Sequence, residues 1–445
     1  MRLTPAEEWG LPPGRLHTVR PVGSGPPPFP TPLSVNQRNH VAGVGHGQPS
    51  VWLAFSCQVP GGVDAARLER VAAHLVRRHS ALQMSAVVGA SGPTGRRHHP
   101  ADIRFRRSVA PVASGAEATV GVRAHLDAAC HPVVGAPAFG LAAIEQAHGR
   151  STVVAGFDHL HVDALSLPVL LQDVVAALGV GPPHRRAQVA PAGCFASRAR
   201  EWASAAPIPS DDPRLRRWHH LLDLTGDRLP GFPFDLGLAP GERAPQSTTT
   251  HDLADAATTR RLGDAARRHG ASTAAACLAT FGTMLRAWGG PATLPLLVPV
   301  QTRTPADGDA VGWFTTTVPV VLGPSENGVS PRSAAAALAA GVQTAELPLD
   351  QVLASLPRPL RRERADVFML SYVDYRRLPG HDLSRRLGAR HVSSPTTCDD
   401  VQIWVARTDD GLHARVRSPG TPTATRLLPA LVQSWTEEIA ALAAT

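Results

Sequence analysis

The clearest hydrophobic pattern in the chain lies at residues 151–178. Residues 152–157 are mostly apolar and β-branched, which predicts a buried β-strand of ordinary length. The strand is followed by DHLHVD at 158–163, where polar and apolar side chains are mixed. Apolar side chains then recur at helical spacing as far as Leu178, which predicts a helix. A strand that ends in polar residues before a helix is a common rigid support for catalytic side chains.

Similar patterns predict further elements on both sides of this stretch. Odd-numbered apolar positions over 51–59 indicate a half-buried strand, and Asp64 is placed to cap the helix that follows. In the second half of the chain, helices are expected at about 255–269 and 272–288, strands at about 294–300, 313–321, 367–373, 401–407 and 412–417, and a closing helix after them.

These elements alternate as expected for an α/β or α+β protein with two lobes. Residues 179–213 are rich in Pro and Arg and indicate a connection between the lobes. A chain of 445 residues is long enough to form two hydrophobic cores. We therefore expect domains at 1–180 and 181–445.

Composition and charge narrow the class of protein. The net charge is +8, every basic charge comes from Arg, and the arginine pairs are not interleaved with aromatic residues, so nucleic acid is not an expected partner. The five cysteines lack metal-binding spacing. No apolar run is long enough to span a membrane, and the first ten residues lack the apolar core of a signal peptide. A cytoplasmic location is expected.

The DHLHVD segment has three interpretations. The first is chance, because in a chain of this composition a His with an acidic residue four positions later is expected without any function. Alternatively, His159, His161 and Asp163 match the first part of the HxHxDH sequence of metallo-β-lactamase-type hydrolases, but Ala164 occupies the position of a further ligand. We therefore expect no metal. The third interpretation is the HHxxxDG motif of acyltransferases.

Four segments support the acyltransferase interpretation because they occur in the order and at the distances of one family's motifs. The chain resembles the superfamily of non-ribosomal peptide condensation domains and chloramphenicol acetyltransferase. The resemblance rests on residues 34–38 (SVNQR, for SxAQxR), 78–84 (RHSALQM, for RHExLRT), 158–166 (DHLHVDALS, for HHxxxDGxS) and 312–320 (GWFTTTVPV, for GPFVNTLPLR).

Within that superfamily the chain is most similar to the stand-alone polyketide-associated acyltransferases of actinobacteria, in which Asp often replaces the first His of the core motif. The resemblance implies two acetyltransferase-like lobes arranged in a V, with the active-site tunnel at their junction. It also implies an acyl donor, either acyl-CoA or an acyl carrier protein of a polyketide synthase, and a hydroxyl acceptor on a sugar, lipid or polyketide. No separate cofactor is expected.

The same resemblance assigns the candidate site. His159 and Asp163 are the expected catalytic residues, with His159 as general base, and Asp158, Ala164, Trp313 and Thr316 are the expected substrate-binding residues. The chain departs from the family at Ala164, where the motif has Gly, and at Gln83, where it has the Arg that pairs with the core Asp.

The residues themselves agree with this chemistry. Neutral imidazole can remove the proton of an attacking hydroxyl at neutral pH, and the chain has no GxSxG elbow for a serine nucleophile. The N–H of Ala164 is a candidate donor to the oxyanion, provided that its turn suits an L-residue. We interpret His79 as structural and His161 as a neighbour without a catalytic role.

The loss of the family's Arg leads to a specific prediction about Asp163. A buried carboxylate needs a partner, and we predict that Arg303, or failing that Gln83 with backbone amides, takes this role. Two further functions remain open, a condensation enzyme that forms amides and a degenerate protein that only binds acyl carriers.

Overall fold

The structure is a computed structural model that describes residues 1–23, 29–133, 135–180, 192–323 and 328–445. The chain forms two compact units, and neither is one continuous stretch. The first unit consists of Met1–Ala205, Arg303–Phe314 and Arg377–Thr396, and the second of Ala206–Thr302, Thr315–Arg376 and Thr397–Thr445. The predicted boundary after residue 180 adjoins residues 181–191, outside the described residues, and stays a prediction.

The described residues form the following helices and strands. The α-helices are α1 (Val35–Gly45), α2 (Ala65–Arg78), α3 (Gly115–Ala129), α4 (Ser166–Ala177), α5 (Phe195–Ala203), α6 (Leu215–Thr225), α7 (Ala256–Arg268), α8 (Thr273–Ala287), α9 (Pro331–Val342), α10 (Leu349–Ala354), α11 (His381–Arg386) and α12 (Pro422–Ala444). The strands are β1 (Arg2–Leu3), β2 (Gly14–Val22), β3 (Phe29–Thr31), β4 (Trp52–Pro60), β5 (Met84–Gly89), β6 (Gly92–Arg97), β7 (Arg104–Val112), β8 (Phe139–Gln146), β9 (Arg150–Asp158), β10 (Ala244–Asp255), β11 (Leu294–Gln301), β12 (Thr315–Leu322), β13 (Met369–Asp374), β14 (Arg390–Ser393), β15 (Thr397–Cys398), β16 (Gln402–Arg407) and β17 (Gly411–Pro419).

The first unit is built on a sheet whose described strands run in the order β1-β14-β4-β9-β8-β2-β7. Strand β9, predicted from its apolar run, lies in the middle and pairs antiparallel with β4 and β8. Every residue of β9 after Arg150 is buried, which explains why the run is apolar rather than alternating. The strand therefore ends at Asp158 on a support that is fixed on both sides.

Helices α2, α3 and α4 pack against strands of this sheet. Helix α2 begins as predicted, with the Asp64 carboxylate accepting from the N–H of Arg67 at 2.7 Å. Its buried side chains include Leu68, Val71 and Leu75, which lie on one face. A smaller sheet, β3-β6-β5, belongs to the same unit.

The second unit has its own sheet, in the order β12-β11-β13-β16-β17-β10-β15 over the described strands. The predicted helices at about 255–269 and 272–288 are α7 and α8, and the closing helix is α12. Its core is continuous from α8 to α12, where the indole N–H of Trp435 donates to Thr280 Oγ1 at 3.0 Å. Each of the two units thus has a mixed sheet covered by helices, which confirms the predicted α+β fold class.

Several elements were not predicted because their sequences lack a hydrophobic period. Strand β7 is the edge of its sheet, and seven of its nine residues are exposed. Strand β10 carries the run SerThrThrThr at 247–250, and only Leu253 in it is buried. Strand β14 joins the first sheet from a distant part of the chain, which no local pattern indicates. Over the described residues, no helix has the length and apolar character needed to cross a membrane.

Candidate active site

The candidate site begins where strand β9 ends, in the first unit. The backbone holds the two residues at this point from opposite sides. The N–H of Asp158 donates to Ala138 O at 2.9 Å, and the N–H of His159 donates to Val51 O at 2.8 Å. His159 therefore leaves the sheet from a fixed position.

Gln37 explains why the SVNQR segment belongs to the site. Ser34 and Gln37 form a capping box at the start of α1, in which the N–H of Ser34 donates to Gln37 Oε1 at 2.9 Å. The same amide donates through Nε2 to Leu160 O at 2.7 Å. One buried side chain thus caps the helix and holds the loop after His159.

The ring of His161 is fully used by the backbone. It is buried, its Nδ1 donates to Ala81 O at 2.8 Å, and its Nε2 accepts from the N–H of Ala138 at 2.9 Å. Burial lowers the pKa of His161 to about 4, with Asp158 acting in the opposite direction. His161 therefore holds the loop in place. Among the described residues, no group of three or more His, Cys, Asp or Glu side chains is placed to hold a metal ion.

His159 has a different environment, two residues away. It is partly exposed, and its ring stacks on the ring of Trp313, with centroids 3.6 Å apart and planes 23° apart. Burial lowers the pKa of His159 to about 4 and His40 adds to the effect, while the histidine's own backbone carbonyl, Asp158 and Asp163 oppose it. The imidazole is therefore neutral at neutral pH and able to accept a proton.

Asp163 has the partner that was predicted for it. Arg303 Nη1 donates to Asp163 Oδ2 at 2.7 Å, and Arg303 Nη2 donates to Oδ1 at 2.9 Å. This is a two-pronged guanidinium–carboxylate pair between a buried carboxylate and a mostly buried arginine. The N–H and hydroxyl of Ser166 and the N–H of Phe314 also donate to Asp163. The prediction that Arg303 replaces the family's arginine is confirmed.

Gln83 serves a separate purpose. Its amide donates to Val76 O at 2.7 Å, and its oxygen accepts from Arg97 Nε at 2.9 Å. The residue therefore joins the end of α2 to strand β6 and is not the partner of Asp163.

Ala164 occupies a turn that an L-residue can adopt. Asp227 is the single non-glycine residue with positive φ in the described chain, so Ala164 does not need the freedom of the family's Gly. Its N–H donates to no acceptor within the described residues. This N–H is therefore available for a developing oxyanion, the role predicted for it.

Asp158 is fully buried, and its carboxylate is held by three donors from the protein. His40 Nε2 lies 2.9 Å from Oδ1 and 3.1 Å from Oδ2, Ser50 Oγ donates to Oδ2, and the N–H of Leu160 donates to Oδ1 at 2.8 Å. Burial alone would raise the pKa of Asp158, but His40 and Ser50 outweigh it and the pKa is lowered. Asp158 is therefore an ionised acceptor.

Sequence analysis overlooked His40 and Ser50. One signal was present for His40, which follows Gln37 by three positions on a helix and so shares its face. The ring of His40 lies 6.4 Å from that of His159 and 6.0 Å from that of Trp313, between centroids. It is a second imidazole beside the candidate base.

The last two predicted residues, Trp313 and Thr316, belong to different units. Trp313 lies in the returning segment of the first unit and stacks on His159. Thr316 belongs to the second unit, where it is half-buried on β12 and pairs with Val300 of β11. The catalytic and binding roles of all six predicted residues stay predictions.

His79 is structural, as interpreted from the sequence. Its Nε2 lies 2.7 Å from Asp173 Oδ2, and Arg78 Nε donates to the same oxygen at 2.8 Å. The three buried side chains join the end of α2 to the middle of α4. Although burial would raise the pKa of Asp173, His79 and Arg78 lower it.

Comparison with known proteins identifies the family. The condensation-domain family matches residues 31–368, most of the chain. The protein belongs to the condensation-domain family. Acyltransferase PapA3 of Mycobacterium tuberculosis is 28% identical over 88% of this chain and 85% of its own length. Trehalose-2-sulfate acyltransferase PapA2 of the same species is 28% identical over 63% of this chain and 62% of its own length.

Solved structures share the fold of this chain. The structure of PapA2 acyl transferase superimposes with a TM-score of 0.88, at 23% identity over the whole of both chains. The first condensation domain of the CDA synthetase superimposes with a TM-score of 0.68, at 16% identity over 94% of this chain and 98% of that one. These structures confirm the predicted condensation-type fold. The predicted enzyme class, acyltransferase, is confirmed by the similarity to the acyltransferases PapA3 and PapA2.

Proposed function

We propose that this condensation-domain protein moves an acyl chain from a thioester to a hydroxyl group of a sugar, with His159 as the general base. The donor is acyl-CoA or an acyl carrier protein, and the product is an ester. The sugar acceptor is supported by the name of the relative PapA2, a trehalose-2-sulfate acyltransferase.

The observation that carries the proposal is the state of His159. Its imidazole is held at the end of a buried strand, is stacked on Trp313 and has a pKa of about 4. Such a ring is unprotonated at neutral pH and can take the proton from the attacking hydroxyl. The proton then passes to the departing thiolate of the donor, so that one ester and one thiol are formed.

The residues around His159 support the other requirements of acyl transfer. The Asp163–Arg303 pair fixes the loop that carries the histidine, and the unpaired N–H of Ala164 can donate to the oxyanion of the tetrahedral intermediate. Asp163 is a positioning residue in this mechanism, because its oxygens are taken by Arg303, Ser166 and Phe314.

The test is a transfer assay with radiolabelled palmitoyl-CoA as donor and trehalose as acceptor. We expect free CoA and an alkali-labile acyl trehalose in equal amounts, with less hydrolysis than transfer. Product formation from glucosamine as an alkali-stable amide, with no ester from trehalose, would favour the amide-forming condensation enzyme. Binding of palmitoyl-CoA without turnover would favour the degenerate acyl-binding protein.

A further inference from the structure

The His40–Asp158 pair lies beside His159 and has no part in the mechanism given so far. Asp158 is completely inaccessible, and His40, Ser50 and the N–H of Leu160 occupy its oxygens. Its carboxylate therefore has no free face for a substrate. Any influence of Asp158 on the substrate has to pass through one of its partners, and His40 is the partner that lies next to the site.

The carboxylate determines which nitrogen of His40 carries a proton. An ionised carboxylate can only accept hydrogen bonds, so Nε2 of His40 donates to Asp158. The remaining nitrogen, Nδ1, makes no hydrogen bond within the described residues, although the side chain is only 8% exposed. This nitrogen is not sealed from solvent, so a water molecule or a hydroxyl of a bound acceptor can be its partner.

The position of the ring suggests what that partner is. The rings of His40, Trp313 and His159 come from three parts of the chain, and the centroids of the two imidazoles are 6.4 Å apart. A pair of hydroxyls on neighbouring carbon atoms can bridge this separation if each forms a hydrogen bond of ordinary length. A single hydroxyl bound to His159 would leave Nδ1 of His40 to water.

We propose that His40 is a specificity-determining residue that selects polyol acceptors. Its Nδ1 forms a hydrogen bond with a second hydroxyl of the acceptor, while His159 removes the proton from the neighbouring hydroxyl that becomes acylated. Asp158 acts as a positioning residue that keeps the proton on Nε2. This inference rests on the proposed function and adds the residue that distinguishes an acceptor with adjacent hydroxyls from a simple alcohol.

Two acceptors that differ by one hydroxyl test the inference on the natural protein. With palmitoyl-CoA as donor, we expect kcat/KM for trans-1,2-cyclohexanediol to exceed that for cyclohexanol by about tenfold, the value of one hydrogen bond. Equal kcat/KM values for the two alcohols would overturn the inference. Transfer to neither of them, nor to trehalose, would instead defeat the proposed function.

Two variants separate acceptor binding from a structural role. His40→Gln keeps a donor near the Nε2 position and lacks a group at Nδ1, whereas His40→Asn keeps a polar group near Nδ1 and cannot reach Asp158. We expect His40→Gln to lower kcat/KM for the diol about tenfold relative to kcat/KM for cyclohexanol, so that the preference for the diol is lost. His40→Asn should keep part of the preference for the diol.

Loss of activity with both alcohols and with water in His40→Gln would show that His40 only supports the loop, and would overturn the inference. Retention of the full diol preference in that variant would overturn it as well. If His40→Gln does not fold, the comparison of the two alcohols with the natural protein and with His40→Asn still decides the matter.

Discussion

Two carboxylates flank His159, and they are held in different ways. Asp163 is bound by the guanidinium of Arg303, whose two nitrogens contact its two oxygens at 2.7 and 2.9 Å. Asp158 is bound by the imidazole of His40 and by the hydroxyl of Ser50. The guanidinium makes two parallel hydrogen bonds to its carboxylate, whereas the imidazole has a single nitrogen directed at the carboxylate.

The difference indicates two separate tasks. The Asp163–Arg303 pair is a permanent clamp that ties the loop after β9 to the returning segment 303–314 of the first unit. The Asp158–His40 pair instead leaves one polar nitrogen beside the candidate base. We therefore expect changes at Asp163 to affect stability first, and changes at His40 to affect the choice of acceptor first.

The largest effect on stability is expected at the clamp. Either Asp163→Asn or Arg303→Gln leaves a buried polar group without its partner and should lower the free energy of unfolding by roughly 3–5 kcal/mol. The double variant should lose less than the two single variants summed, because both remove the same interaction. Urea unfolding followed by circular dichroism measures all three.

The control for that cycle is the pair Arg198–Glu201, whose glutamate is exposed and whose nitrogen and oxygen are 3.0 Å apart. Glu201→Gln should change the free energy of unfolding by no more than about 1 kcal/mol. Strictly additive losses at Asp163 and Arg303 would contradict the clamp.

Acid should weaken the unit that contains the site. Burial lowers the pKa values of His125, His159 and His161 to about 4, below the ordinary value of 6.5. The unfolded chain therefore binds protons that the folded chain does not. The contribution of these histidines to the free energy of unfolding is fully present above pH 6.5 and is lost between pH 6.5 and 4. The expected slope is about 1.4 kcal/mol per pH unit for each histidine.

The variant His161→Gln checks this origin, with His148→Gln as control because His148 is exposed in the turn between β8 and β9. The slope of unfolding free energy against pH should become shallower in the first variant and stay the same in the second. Equal slopes in the two variants would contradict the assignment.

A smaller loss of stability is expected at the other carboxylate. In Asp158→Asn the amide oxygen can still accept from His40, and the amide nitrogen can donate to Ser50, so that few polar groups lose their partner. The free energy of unfolding should fall by about 1–3 kcal/mol, less than in Asp163→Asn. The same urea titration ranks the two variants, and a larger loss at Asp158 would reverse the comparison.

Chelation should have the smallest effect. Both ring nitrogens of His161 are bound by backbone groups, so that the metal interpretation of His159, His161 and Asp163 lacks a second free imidazole. We expect less than stoichiometric zinc by mass spectrometry and unchanged transfer after treatment with EDTA. A tightly bound metal lost together with activity would contradict the acyl-transfer mechanism.

The sequence was sufficient to predict the parts of the site that depend on local patterns. Strand β9, helix α4 and the segment that follows His159 were visible from hydrophobic spacing. The partner of Asp163 could be predicted because a buried carboxylate needs a cation and the family's arginine is absent. The requirement for a cation beside a buried carboxylate thus identified Arg303, which is distant from Asp163 in the sequence.

The remaining parts depend on contacts that no local pattern records. His40 contributes to the site because helix α1 carries it to the end of β9, and Ser50 does so from the loop before β4. The returning segments 303–314 and 377–396 join the first unit through tertiary packing alone. Spacing along the chain cannot indicate such contacts.

The central claim is that His159 removes the proton of the acceptor hydroxyl, and His159→Ala tests it most directly. Single-turnover transfer from palmitoyl-CoA to trehalose should slow by about two or more orders of magnitude, while the variant keeps its fold and its affinity for palmitoyl-CoA. His148→Ala should transfer at the natural rate. Near-natural transfer by His159→Ala would contradict the account.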